Sequence, residues 1–292
     1  MAFRLTSRTS MKAGLQRIVD KEFRTALESL AARAPDEAAI HKARTSVKKI
    51  RSVLRLLKED LPKFRAEQRR LRAAAQSLSS LRDADAASET LRALHGRYPA
   101  VLKDAIVRRV ERGLRGRKQE ARRKTRPLVQ RGRSALRRAR ETVPQRVQSA
   151  ATAAAVRDGL TRGYRRARRA LGSLSKDSEA SRFHEWRRRV KDHSYQVRLF
   201  EGLHSTPRAR SQRLRDLQTW LGEDHNHALL RAAILAAPDR FGDASTTAVV
   251  LGCIAKHQSW LRGHALRLGH RLFSAKPADF RKSVGSWWPK GS

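Results

Sequence analysis

The sequence predicts an all-α fold: two antiparallel four-helix bundles related by a pseudo-twofold axis, with a central basic cleft or pore between them. Three observations lead there. Apolar residues recur at helical spacing along most of the chain, as in Leu15, Ile18, Val19, Phe23, Leu27 and Leu30. No segment alternates apolar and polar residues with period two over a useful length, so no sheet is expected. One pattern, H-x-x-R-x-x-V-K, occurs twice, at His41 to Lys48 and at His184 to Lys191.

The two copies hold a constant offset of 143 residues (184 − 41 and 198 − 55), reaching Arg55 and Arg198. Downstream, Arg70-Leu71-Arg72 falls on Arg213-Leu214-Arg215, Leu78 on Leu221 and Asp83 on Asn226. A register kept over so long a stretch without a gap reads as an internal duplication. The halves then span 10–141 and 142–275, within one domain flanked by an N-terminal extension, 1–9, and a tail, 276–292.

Each element follows from local signals. The first helix, about residues 10 to 34, ends at Pro35, and Asp36 is placed to cap the motif helix, which runs to about Asp60. Pro62 suits the first turn of a third helix, which carries Arg70 and Arg72 and stops near Gly96. Tyr98 to about Glu141 reads as one long basic helix. In the second half, Thr142 and Pro144 open an Ala- and Arg-rich helical stretch that stops at Gly172. Asp177 or Ser178 caps the second motif helix, which ends near Leu203. Ser205-Thr206-Pro207 opens the next helix, which ends before Pro238. Gly242-Asp243 turns into a last helix that reaches about Phe273. The tail, with Trp287 and Trp288, has no periodicity and is expected to be loosely held.

At about 100° per residue, His41, Arg44, Lys48, Arg51 and Arg55 share an arc of about 80°, while Val47, Ile50, Val53, Leu54 and Leu57 lie opposite. The second copy repeats this with His184, Arg187, Lys191 and Arg198, adjoined by Arg188. Ser194 there replaces Arg51. A row of like charges on one stripe repels itself. A merely solvated face needs only polarity, so keeping imidazole, guanidinium and ammonium at matching positions points to a shared polyanion between the stripes. Arginine offers a planar fork for two oxygens and lysine a compact, freely aimed charge, which suits a phosphate chain.

These residues resemble the CHAD domain, the conserved histidine α-helical domain. Its signature is a duplicated H-x-x-R-x-x-x-[KR] helix, each copy followed by an L-x-x-L-R-D or L-G-x-x-x-D element. Here those elements are Leu78-Ser79-Ser80-Leu81-Arg82-Asp83 and Leu221-Gly222-Glu223-Asp224-His225-Asn226, with Asn226 where the family has Asp. The resemblance implies non-catalytic binding of inorganic polyphosphate through a central basic surface, often on intracellular polyphosphate granules. The residues expected to contact the chain are His41, Arg44, Lys48, Arg51, Arg55, Arg70 and Arg72, with His184, Arg187, Arg188, Lys191, Arg198, Arg213 and Arg215. Asp83 and Asn226 are expected to orient basic side chains rather than to bind.

Composition agrees with a folded polyanion binder. Hydrophobic residues make up 39%, enough to build a core, while the net charge is +39. Such a field draws polyanions and opposes compaction. The single cysteine, Cys253, rules out an intramolecular disulfide and is expected in the core. No stretch approaches a membrane span, and no signal-peptide core is seen, so the cytoplasm is the default compartment.

Enzymatic readings find little support. No P-loop and no H-E-x-x-H occurs, and paired acids on a shared face are lacking near the stripes. No cofactor is expected. A metal site at His225 and His227 with Glu223 and Asp224 fails on geometry, because i and i+2 on a helix point about 200° apart; these are expected to be surface polar residues near a helix end or cleft rim. Nucleic acid is the rival ligand, since electrostatics alone supplies most nonspecific DNA affinity. Aromatics are only 5%, however, and no stacking platform is evident.

Overall fold

The structure, a computed structural model, describes residues 3–32, 35–123 and 125–287; side chains are described for all of these except 79–85 and 117–126. The described residues are helical and contain no strand. In order the helices are α1 (Met11–Ser29), α2 (Glu37–Leu56), α3 (Phe64–Ser77), α4 (Ser79–Arg97), α5 (Asp104–Arg123), α6 (Thr125–Arg140) and α7 (Val143–Ala150). Then come α8 (Ala153–Gly172), α9 (Ala180–Arg198), α10 (Ser205–Ala236), a 3-10 turn at Pro238–Arg240, α11 (Ala244–Leu272) and α12 (Pro277–Val284). None of them is long and apolar enough to cross a membrane.

The motif helices α2 and α9 begin at Glu37 and Ala180, at the offset seen in the motifs, and α1 and α8 end at Ser29 and Gly172 with the same spacing. Asp36 caps α2 as expected, accepting a hydrogen bond from the Ala39 N–H at 2.7 Å. Asp243 does the same for α11 through the Thr246 N–H, also at 2.7 Å, after a turn at Gly242, whose φ of 135° a side chain would oppose.

The helix count exceeds four per half. The long basic helix expected from Tyr98 to Glu141 is α5 and α6, and α7 is separated from α8 by the Thr152 cap, whose hydroxyl accepts from the Ala155 N–H at 3.1 Å. The helix expected to run through Leu78 breaks there into α3 and α4, whereas its counterpart Leu221 lies inside the unbroken α10. Serines cluster at this break, at 77, 79 and 80, and the Ser77 hydroxyl donates to the Ala74 carbonyl at 2.9 Å, competing with the helical ladder.

The buried residues do not divide by halves. One continuous core takes Val47, Ile50 and Leu54 of α2, Trp186, Val190 and Val197 of α9, and the inner faces of α1, α3, α6, α8 and α10. A second core joins α4 and α5 to the far ends of α10 and α11 through Leu91, Leu94, Val110, Leu230, Ile234 and Ile254, and holds Cys253. The halves are therefore fused twice, at the motif helices and at this distal cluster. Gly159 allows α8 to meet the end of α2: a Cβ there would sit 1.9 Å from the Leu56 carbonyl oxygen.

Both ends of the described residues are docked. The Leu5 N–H donates to the Leu199 carbonyl at 2.7 Å, and Phe3 and Leu5 are buried. The expectation of a loose tail fails for residues up to Trp287. Phe280 of α12 stacks on Tyr164 of α8 with centroids 4.2 Å apart, and Trp287, 1% exposed, packs against Phe200 and Phe280. An eight-residue helix is too short to show periodicity, and its anchor is aromatic burial. Trp288 lies outside the described residues.

Candidate functional site

Where α2 and α9 pack together their polar edges turn to one side and open a cleft of about 430 Å³. The floor is tied across the helices: the Ser52 hydroxyl of α2 donates to the Asp192 carbonyl of α9 at 2.9 Å. From α2 the lining takes Arg44, Lys48, Arg51 and Arg55; from α9 it takes His184, Arg187, Arg188, Lys191, Asp192 and Tyr195. α3 adds Arg72 and Gln76, and α10 adds His225 and Leu229. Eight cationic side chains and a single carboxylate thus share one concavity among the described residues.

That carboxylate has a defined partner. The Arg55 guanidinium donates to Asp192 at 2.5 Å, with each side chain about a fifth exposed (20% and 22%). Burial raises the Asp192 carboxyl, against the pull of Arg55, Arg51, Arg189 and Arg166. Arg51 is held from beside the cleft: its Nε donates to Gln68 Oε1 at 3.2 Å, and Gln68 Nε2 donates back to the Arg51 carbonyl at 2.9 Å. Burial, then Arg55, lower Arg51 to about 10, so it remains charged at neutral pH. Burial, with Arg187 and Arg44 beside it, brings Lys191 down to about 8. The cleft is a crowd of cations, partly desolvated and short of anions, so an incoming anion relieves their mutual repulsion.

The histidines behave differently from one another. His184 Nδ1 lies 3.1 Å from His225 Nδ1 in a hydrogen bond whose donor is set by the tautomer. Burial, followed by Arg187, His184, Lys48 and Lys191, lowers His225 to about 3; His184 is lowered by burial and by Arg187 and Arg188. Both are neutral donors and acceptors at pH 7. His41 does not join them: it is exposed near the start of α2 and outside the cleft lining.

Several expected contacts are elsewhere. Arg72 reaches the cleft but Arg70 turns away, to Glu67 at 3.0 Å, where Arg146 also arrives at 2.6 Å. Residues two apart on a helix cannot share a face. The same rule parts Arg213 from Arg215, and neither lines the cleft: Arg215 pairs with Glu201 at 2.5 Å, and Arg213 lines a separate opening. Arg198 is half-buried on α9 and also outside the lining. The Asp83 side chain lies outside the described residues, and Asn226 is not among the cleft residues. Asp192, which is not among the expected residues, orients Arg55.

The divergence of His225 and His227 is as the helix rule requires, and the half-buried His225 meets the expectation of a position at the cleft, but His227 is not a surface residue. His225 faces the cleft, while His227, 3% exposed, turns to the buried His257, with ring centroids 5.0 Å apart. Asp224 is likewise buried, accepting from Arg262 at 2.9 Å and from Gln258 at 3.0 Å. Ser194, in the place of Arg51, is buried and accepts from Gln218 Nε2 at 2.5 Å. Sequence reasoning missed Asp192, Tyr195, Gln76 and His225. The repeat conceals Asp192, because its counterpart is Lys49, which pairs instead with Glu22 at 2.8 Å. His225 becomes visible only through the packing of α10 on α9.

A helical protein with a cationic cleft between two matched motif helices is what the fold and the site define. The chain belongs to the CHAD domain family, whose model matches residues 17–235. No curated protein sequence matches it. Among solved structures it is similar to the CHAD domain from the plant Ricinus communis, at 16% identity and a TM-score of 0.58, covering 98% of this chain and 95% of that one. It is also similar to PptA from Streptomyces chartreusis, at 20% identity and a TM-score of 0.65, covering 91% and 98%. At these identities the likeness concerns the fold.

Proposed function

We propose that this protein binds inorganic polyphosphate, without turning it over, in the cleft between α2 and α9, and through it associates with polyphosphate granules. The observation that carries this reading is the convergence of eight cations from three helices on one cleft with one carboxylate, itself engaged by Arg55. Family membership supports the ligand class, since the CHAD resemblance implies polyphosphate. Cations spaced by successive turns of α2 and α9, about 5.4 Å per turn, suit charge spread along a chain rather than one compact ion. Arg51 and Arg55 arrive pre-oriented by Gln68 and Asp192, which lowers the ordering cost of binding.

The test is competition among long-chain polyphosphate, single-stranded DNA of matched charge and heparin, at two salt concentrations. Polyphosphate is expected to win, and to lose its advantage when Arg44, Lys48, Arg187 and Lys191 become alanine. Equal affinities and salt slopes for all three would reduce the protein to a nonselective polycation. An effect no larger than that of four alanines on exposed parts of α5 and α6 would move the site elsewhere.

A further inference from the structure

A second cleft, of about 450 Å³, lies where the start of α10 meets the end of α11 and α12. It carries Arg210, Arg213 and Arg271, the hydroxyls of Ser205 and Thr206, and Trp287, and no carboxylate lines it. Outside the two clefts some arginines have acids: Arg215 has Glu201, Arg262 has Asp224 and Arg281 has Asp158. Here Arg213 and Arg271 are exposed, and their guanidinium groups make no ion pair or hydrogen bond among the described residues.

Arg210 is built in rather than solvated. Its guanidinium lies over the rings of Tyr164 and Phe280, 5.2 and 5.0 Å from their centroids, and Nη2 donates to the Leu272 carbonyl at 2.8 Å. Its Nε is buried without a hydrogen-bond partner. The same holds for the indole N–H of Trp287, a side chain only 1% exposed that lines this cleft. A buried donor with no acceptor carries a desolvation cost that an anionic oxygen would remove. Ser205 and Thr206 are the first residues of the 32-residue α10, so the positive end of its dipole adds to the three guanidiniums. One N–H there, that of Thr206, is already taken by His204 Nδ1 at 3.1 Å.

We infer that this cleft is a second anion site, taking a phosphate group through the arginine forks, distinct from the cleft between α2 and α9. Arginine recognises phosphate through paired N–H donors, and Arg210, fixed by ring stacking, holds such a fork ready. Along α10 the positions of Arg210 and His225 are about 22 Å apart at 1.5 Å per residue. One phosphate group cannot serve both places. A chain of phosphates could reach from one to the other, and a short phosphate ligand could occupy this cleft alone.

Titration calorimetry of the full chain with tripolyphosphate separates the two sites. Two binding events are expected in the unaltered protein. Arg187→Gln with Lys191→Gln should remove one and leave the other; Arg213→Gln with Arg271→Gln should do the reverse, weakening the event at the second cleft at least tenfold and leaving the other in place. In the first double variant, the indole N–H resonance of Trp287, identified by its absence in Trp287→Phe, should shift on adding tripolyphosphate. Arg108→Gln with Arg115→Gln, on the exposed face of α5, controls for lost charge. If Arg213→Gln with Arg271→Gln changes binding no more than this control, or the Trp287 resonance stays in place, the second site is refuted while the α2/α9 site stands. If Arg187→Gln with Lys191→Gln changes nothing and the Arg213 and Arg271 pair abolishes binding, the α2/α9 reading falls and this one stands. Long-chain polyphosphate identifies the source of the phosphate. A preference for the long chain that vanishes with Arg213 and Arg271 means one polymer held at both clefts; equal losses for long and short chains mean a separate phosphate ligand, and either result supports the site.

Discussion

Lys191 allows the cleft to be tested through its own titration. In the free protein, burial with Arg187 and Arg44 alongside lowers its ammonium from the ordinary 10.5 to about 8. An anion in the cleft supplies the missing opposite charge and raises that value. Binding above pH 8 must then take up a proton, so affinity is full below pH 8 and falls as pH rises toward the value in the complex. If the complex restores the ordinary value, the association constant drops about 20-fold between pH 7.5 and 9.5, or about 1.8 kcal/mol. Fluorescence anisotropy with end-labelled polyphosphate at fixed ionic strength measures it directly, since the internal phosphates of the chain are strong acids and do not titrate there. Lys191→Arg keeps the charge at all these pH values. It should flatten the profile while leaving affinity at pH 7.5 within a few-fold. A flat profile in the unaltered protein, or an unchanged slope in Lys191→Arg, would show that Lys191 does not meet the ligand.

Three further outcomes follow from the same geometry. His184 and His225 face Arg44, Lys48, Arg187, Arg188 and Lys191, with Glu185 and Asp192 as the nearby acids; a bound polyanion raises both histidines from their lowered values, so affinity should climb as pH falls from 7 to 5, and His225→Gln should blunt the climb. Asp192→Asn leaves Arg55 without its counter-charge; discounting the about 3–5 kcal/mol for breaking a buried pair because both side chains retain some solvent contact, a loss of about 1–3 kcal/mol is expected in urea unfolding. Saturating polyphosphate should narrow that loss, and equal stability of variant and parent without ligand would count against the pairing. Trp287→Ala empties a fully buried site against Phe200 and Phe280 and should cost about 3–5 kcal/mol, whereas a loosely held tail would cost almost nothing.

Much of this protein is legible in its sequence. The apolar arc of Val47, Ile50, Val53 and Leu54 is buried as the periodicity requires, and Asp36 and Asp243 start helices because a short acidic side chain satisfies an otherwise unpaired N–H. The cationic edge of α2 is readable too, because side chains three, four and seven residues apart on a helix share a face. Taking the paired arginines as units misplaces Arg70 and Arg213, although the same rule separates each from its neighbour two positions on.

Other features lie beyond any local reading. Nothing near Lys191 announces that Asp192 will meet Arg55 from another helix, nor that His225 will lie against His184. The two halves share one core and a second, distal one, so equivalent positions in the repeat meet different neighbours: Arg72 enters the cleft while Arg215 goes to Glu201. Helical pitch, a property of the backbone, sorts side chains onto faces and can be read residue by residue. Which faces meet is set by how apolar surfaces distant in the chain are buried together, and that depends on all of them at once.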